Sequence, residues 1–258
     1  MFYPADPVEL AAVVDDDLAA ASRSEANIAA PPKAVIAPHA GYVYSGPVAA
    51  SAYARLRRLA GTVTRVVLLG PAHQVPVRAL GVSSAEAWST PLGIVPVDTT
   101  AVAALTAVDG VEVADRAHAP EHSLEVHLPF LQRVLGDGWS LVPLIVGGAS
   151  PTTVADALDT VWGGPETLVV VSSDLSHYHP YDRAAELDRA TAAAIVAGRA
   201  VRPDQACGAH PVDGLLVAAE RHDLDIELVD LRSSGDTAGD RDRVVGYGSF
   251  VLRAPEPV

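Results

Sequence analysis

Cysteine, methionine and lysine are nearly missing from this chain: Cys207, Met1 and Lys33 each stand alone among 258 residues. One cysteine excludes an intramolecular disulfide and fits a reducing compartment. One methionine, at position 1, argues against a blue-copper site, which uses a weak axial Met. Aromatic residues make up 5% of a chain that is 49% hydrophobic, so the core has to be aliphatic, built mostly from Ala, Val and Leu. Basic residues are scarce as well. Eighteen Lys+Arg against 32 Asp+Glu give a formal charge of −14, which argues against nucleic acid or an anionic membrane as the main partner. No apolar run approaches the ~20 residues that span a bilayer. The N-terminal stretch from Met1 to Asp6 lacks the basic and apolar regions of a signal peptide. A cytoplasmic location is the expectation.

What is present is a repeated device. Val35-Ile36-Ala37 runs into Pro38 and then His39. Val66-Val67-Leu68-Leu69 runs into Gly70-Pro71 and then His73. Leu168-Val169-Val170-Val171 runs into Ser172-Ser173, then Asp174 and His177. Each is a short apolar strand ending in a metal ligand or an acid/base group. Proline cannot donate to a sheet ladder, so the strand before Pro38 ends there.

Between these strands the pattern alternates. A helix is expected over Pro7–Ala21, with Asp6 as its N-cap, and another over Val48–Leu59 after Gly46-Pro47. Strands are expected near Val77–Ser83, Ile94–Val97, Trp139–Val146, Ile226–Leu231 and Val244–Leu252. Helices are expected over Thr99–Ala107, Pro151–Trp162, Tyr181–Ala197 and Pro211–Arg221. Pro120-Glu121 reads as a helix first turn, which puts Glu121 with Glu125, and Leu124 with Leu128, on shared faces. There is no repeat and no linker, so a single domain over 1–258 is expected. Alternating strands and helices imply an α/β fold whose central mixed, largely parallel sheet has helices on both faces. In such sheets the binding crevice lies beyond the carboxyl ends of the strands. His39, His73, Asp174 and His177 all fall there.

Imidazoles from separate strands can share one ion, and a thiolate beside them favours Fe, Cu or Zn over Mg or Ca. Cys207, just ahead of a helix, is expected to have its thiolate favoured by the helix dipole. Asp174-x-x-His177 is a compact carboxylate/imidazole pair suited to completing a metal site or to acid/base work. Glu121, His122, Glu125 and His127 are candidates to orient ligands. Taken alone, each of these residues equally suits a structural role. No HExxH or CxxC motif fixes the metal.

PHAGYVYSG, LLGPAH, EHSLEVHLPFL, VPLIVG, SSDLSHYHPYD and CGAHP occur here in one order. That order resembles the Memo family, whose prokaryotic members are called AmmeMemoRadiSam system protein B. The resemblance runs over nearly the whole chain. It implies a fold like that of the class III extradiol (LigB-type) non-haem iron dioxygenases. It implies a metal pocket of His39, His73 and Cys207, with Asp174 and His177 lining it, and Fe(II), or else Cu or Zn, as the metal. The related dioxygenases carry a carboxylate where Cys207 stands. Ala72 replaces the Ser often found before the second histidine. On this reading His177 or His127 moves protons, Asp174 orients one of them, and Tyr42 and Tyr44 wall the pocket. The expected activity is a metal-dependent, dioxygenase-like redox reaction beside radical-SAM and AMMECR1-like partners. The alternatives are a non-catalytic binding or scaffold role for the same pocket, or a zinc hydrolase.

Overall fold

The computed structural model describes residues 2–22 and 30–255. Its strands are β1 (Ala34–Ala37), β2 (Arg65–Pro71), β3 (Leu80–Val82), β4 (Ala87–Thr90), β5 (Gly93–Pro96), β6 (Val111–Val113), β7 (Ser140–Val146), β8 (Thr167–Ser172), β9 (His177–His179), β10 (Asp225–Ser233) and β11 (Val244–Arg253). Its helices are α1 (Pro7–Ser22), α2 (Tyr42–Tyr53), α3 (Thr99–Leu105), α4 (Asp115–His118), α5 (Leu128–Leu135), α6 (Pro151–Val161), α7 (Tyr181–Val196) and α8 (Ala209–Arg221).

The main sheet runs β10-β11-β1-β8-β2-β7-β3-β6, with β9 paired to β11, and β4 with β5 forms a separate hairpin. The pairs β1–β8, β8–β2 and β2–β7 are parallel, while β1–β11, β10–β11 and β3–β7 are antiparallel. The mixed, largely parallel sheet expected from the pattern is therefore present. The three strands that end in polar motifs, β1, β8 and β2, are immediate parallel neighbours. Ala37 is level with Ser172, and Val171 with Leu69. Parallel neighbours end on the same side, so His39, Asp174 and His73 emerge together at one edge.

The strands read as unbroken apolar runs because both faces are covered. Period-two alternation divides their side chains. Ile36, Val67, Leu69, Val169 and Val171 pack with residues of α3, α6 and α8. Val35, Val66, Leu68, Leu168 and Val170 pack with α1, α2 and α5. Each fully buried Val or Leu contributes about 1.5–3 kcal/mol of transfer free energy.

Asp6 caps α1 as expected, accepting from the backbone N–H of Val8 at 2.9 Å and Glu9 at 3.0 Å. Two other expectations fail. The helix expected from position 48 begins at Tyr42 and contains Pro47, with a 3-10 segment at Ala54–Leu59 following it. The proline sits in the second turn, where it removes the hydrogen bond to the carbonyl four residues back and crowds that carbonyl with its ring. The helix expected from Pro120 is absent as well. Glu125–His127 is a single 3-10 turn, and the regular helix is α5, which buries Phe130, Leu131, Val134 and Leu135. Glu121 and Glu125 thus share no α-helical face. Strands β6 and β9, three residues each, have too few residues to show a periodicity.

Candidate metal centre

His39 follows β1 and is buried at 3% exposure. Its ring tautomer follows from its partners. The Ser172 hydroxyl donates to the Ser123 carbonyl at 2.6 Å, so its only proton is committed. At 2.6 Å from His39 Nδ1 it therefore accepts, and Nδ1 carries the hydrogen. That leaves His39 Nε2 bare, 3.3 Å from Cys207 Sγ. Burial, together with nearby His73 and His122, holds the His39 pKa well below the usual imidazole value, which keeps the ring neutral.

His73 follows β2 and is fixed in the same way. Its Nδ1 donates to Glu121 Oε1 at 3.0 Å and its backbone N–H donates to Oε2 at 2.6 Å. Glu121 also accepts from the backbone N–H groups of His122 and Ser123, each at 3.0 Å. These bonds explain why residues 119–124 do not form a helix: the chain turns so that several N–H groups converge on one buried carboxylate. Burial by itself would raise the Glu121 pKa. The hydrogen bonds from the His73 side chain and from the backbone outweigh it and hold the carboxyl at about 2. Glu121 is an anion that orients His73, as a carboxylate behind a metal-ligating histidine does.

Cys207 is latched to the end of β8. Its backbone N–H donates to the Asp174 carbonyl at 3.3 Å, and the Asp174 N–H points at Sγ at 3.3 Å. The Gly208 N–H donates to Ser173 Oγ at 3.0 Å. A Cβ on Gly208 would stand 2.5 Å from the Ser172 carbonyl oxygen, so only glycine lets this loop press against the strand end. Burial opposes the dipole stabilisation expected of the thiolate. Burial first, and the Asp174 carboxylate second, push the thiol up to about 12. A bound cation reverses that balance, because metal coordination deprotonates a thiol.

One ligand atom from each of His39, His73 and Cys207 lies within 4.8 Å of the other two. Two bare imidazole nitrogens and a sulfur form a donor set suited to iron, copper or zinc. Around them opens a cavity of about 630 Å³. Asp174 and His177 line it, as expected. Asp174 is buried, and its Oδ1 accepts from the His39 N–H at 2.8 Å. Burial raises its carboxyl to about 6, against that hydrogen bond. His177 donates from Nδ1 to the Leu175 carbonyl at 2.8 Å, which leaves its Nε2 bare.

Three placements differ from the sequence reading. His127 does not line the cavity. It is buried in contact with the Tyr53 hydroxyl at 2.7 Å, and burial lowers its pKa to about 3. Tyr42 and Tyr44 do not wall the cavity either. They lie in the first turn of α2, where Tyr42 turns inward and donates to the Val126 carbonyl at 2.6 Å, and Tyr44 is exposed. The walls come instead from His122 and Phe2, stacked with ring centroids 4.1 Å apart. His122 also stacks on His73 and meets His39 edge-on. Its place beside His73 was visible only as sequence proximity to Glu121. Nothing in the sequence placed Phe2 there, because residues 2 and 122 meet only through tertiary packing.

The family described as Memo-like protein matches residues 1–251. A MEMO1 family protein of Methanopyrus kandleri is 36% identical over 98% of this chain and 96% of its own length. MEMO1 family proteins of Sulfolobus acidocaldarius and Aquifex aeolicus are each 34% identical, over 95% and 97% of this chain and 94% and 96% of their own. The crystal structure of the uncharacterized protein JW3007 from Escherichia coli K12 superposes with a TM-score of 0.52 at 14% identity, over 83% of this chain and 98% of that one. That likeness concerns the fold alone. Among the described residues, no helix is long and apolar enough to cross a membrane.

Proposed function

The chain belongs to the Memo-like family, and from that premise we propose that His39, His73 and Cys207 hold a transition metal for redox chemistry on a small molecule. Iron(II) is the foremost candidate and copper the alternative; zinc suits the same donors but has no redox chemistry and belongs to the hydrolase or binding readings. One observation carries the reading. Both imidazoles are locked through Nδ1 to protein acceptors, so their bare Nε2 atoms face the same space as the Cys207 sulfur.

Such a metal supplies a Lewis-acidic, redox-capable centre. The chain supplies the rest. Glu121 fixes His73, and the Ser172–Ser123 relay fixes His39. Phe2 and His122, stacked on one another, form one wall. His177, with its bare Nε2, accepts or returns a proton at the cavity wall, and Asp174 holds the loop after Pro38 against it. His127, the other proton candidate, is enclosed against Tyr53, which favours His177. We place this activity in the cytoplasm, beside the radical-SAM and AMMECR1-like proteins that the family's system label implies.

The test is reconstitution of metal-free protein under reducing conditions with Fe(II), Cu(I) or Zn(II), followed by metal analysis. About one equivalent is expected in the wild type and none in His39→Ala. Failure of all three metals to bind the wild type refutes the reading. The soft Cys207 sulfur favours a second reading, a metal pocket that binds without turnover. Oxygen consumption with a panel of catechols separates the two: a rate in the wild type that exceeds that of His39→Ala supports turnover, and identical rates support binding alone.

A further inference from the structure

One buried acid belongs neither to the metal ligands nor to the cavity wall. The inward face of α7 carries Ala184, Asp188, Thr191, Ala192 and Ile195 at helical spacing. Asp188 is the one charged residue in that stripe. A carboxylate at 3% exposure is costly unless hydrogen bonds and charges answer it. Its Oδ1 accepts from the Ser176 backbone N–H at 3.0 Å. Burial pushes the carboxyl up, and the bond to Ser176, with His177 and His179 nearby, opposes that. The groups that answer Asp188 therefore come from one short segment, Ser176 to His179.

That segment is also clamped by β11. The Gly246 N–H donates to the Ser176 carbonyl, and the Leu175 N–H donates to the Gly246 carbonyl, each at 2.8 Å. A Cβ on Gly246 would stand 2.0 Å from Asp188 Oδ2, so only glycine lets the strand lie against the carboxylate. The segment is strained as well. Tyr178 holds φ at +62°, a left-handed conformation that a bulky side chain rarely adopts. Such a conformation persists only where the surroundings over-determine it, and it gathers at functional sites. Beside it, His177 Nδ1 donates to the Leu175 carbonyl at 2.8 Å, which leaves Nε2 bare. His177 and Tyr178 line the metal cavity, and Asp188 stands behind them without lining it.

We propose that Asp188 is a positioning residue for His177: by accepting the Ser176 N–H it fixes the Leu175–Tyr178 segment, so that the His177 ring donates from Nδ1 and keeps Nε2 free to take a proton. The inference rests on the proton-transfer role given to His177 above and adds to it the group that sets the ring. The ring's tautomer is a property of the chain without metal, so it can be read whether or not the metal reading holds.

The test is nitrogen-15 NMR of the histidine rings in the metal-free full chain at about pH 8, where an ordinary imidazole is neutral, with His177 assigned by comparison with His177→Gln. The wild type is expected to hold His177 in the Nδ1–H form, against the Nε2–H form that free histidine favours. Asp188→Ala is expected to convert about half or more of it to Nε2–H. Asp188→Asn, whose amide oxygen still accepts from Ser176, is expected to restore the wild-type form. Alanine favours a helix and removes a buried charge, so this variant is expected to fold; Asp188→Ser, whose hydroxyl falls short of the Ser176 N–H, replaces it otherwise. Failure here leaves metal uptake by the wild type at one equivalent, and failure of the metal reading leaves the ring result standing. An Nε2–H ring in the wild type, an unchanged ring in the folded alanine or serine variant, or no rescue by asparagine overturns the proposal. Loss of the fold in both the alanine and the serine variant overturns it too, because Asp188 then supports the whole domain rather than one ring.

Discussion

The two ends of β1 lie about four residues apart and hold opposite kinds of chemistry. At the amino end Lys33, the only lysine, donates from Nζ to the carbonyls of Trp162, Gly164 and Thr167 at 2.6–2.8 Å. Burial pulls its pKa down to about 8, still above neutrality, so the ammonium stays charged. Every donor there is spent on the protein, and the result is a staple between β1 and the turn before β8. At the carboxyl end His39 spends Nδ1 on Ser172, and its Nε2 lone pair meets only the Cys207 sulfur, at 3.3 Å on the cavity wall. The contrast separates structure from function by counting partners. Where the donors and acceptors close on one another, the group holds the fold together; where one lone pair on an otherwise tethered ring faces a cavity, the group is available to a ligand.

The sharpest way to break that comparison is to delete one residue at each end. His39→Ala is expected to abolish metal retention in the reconstitution assay, a loss larger than the ~10–100-fold typical of a supporting residue. Its metal-free urea midpoint should stay near that of the wild type. Lys33→Met should do the reverse. It should cost about 2–4 kcal/mol in urea unfolding, since three carbonyls lose a charged donor, with metal uptake kept at one equivalent. Equal effects of the two substitutions on both readouts would remove the distinction.

A smaller effect is expected from Glu121→Gln. The amide can still accept from the backbone N–H groups, yet it loses the charge that orients His73, so metal affinity should fall about 10–100-fold, measured by competition with a chelator. The smallest effect concerns a histidine outside the cavity. His127 has a folded-state pKa near 3 against 6.5 in the unfolded chain. Between those values the unfolded chain binds a proton that the native chain refuses. Stability from this group is therefore full above 6.5 and declines as the pH falls toward 3. His127→Phe should flatten the decline in unfolding free energy between pH 7 and pH 5. A slope equal to that of the wild type would show that the burial of His127 does not govern it.

The legible parts of this molecule were the ones written locally. His39, His73 and Asp174 each follow a run of four or so β-branched or aliphatic residues, so their placement at strand ends could be read directly. Cys207 had no such signal; its assignment to the pocket rested on the likeness of CGAHP to a known family. The segment from His118 to His127 was misread because its Leu and Glu spacing imitates a helix. The competing term was the convergence of N–H groups on Glu121, which cannot be seen until β2 and this loop are neighbours. Tyr42 and Tyr44 were misplaced for a related reason: the helix starts ahead of Pro47, and helical geometry turns Tyr42 into the core.

By itself the sequence determined the class of fold, the strand ends and which polar side chains follow them, because hydrophobic period and chain-breaking residues act over a few positions. Tertiary structure alone decided that β1, β8 and β2 are adjacent and parallel, which ring nitrogens are bare, and that Phe2 meets His122. Those facts depend on contacts between residues far apart in the chain, 48 positions for His73 and Glu121 and 133 for His39 and Ser172, and no local pattern encodes a partner at that distance.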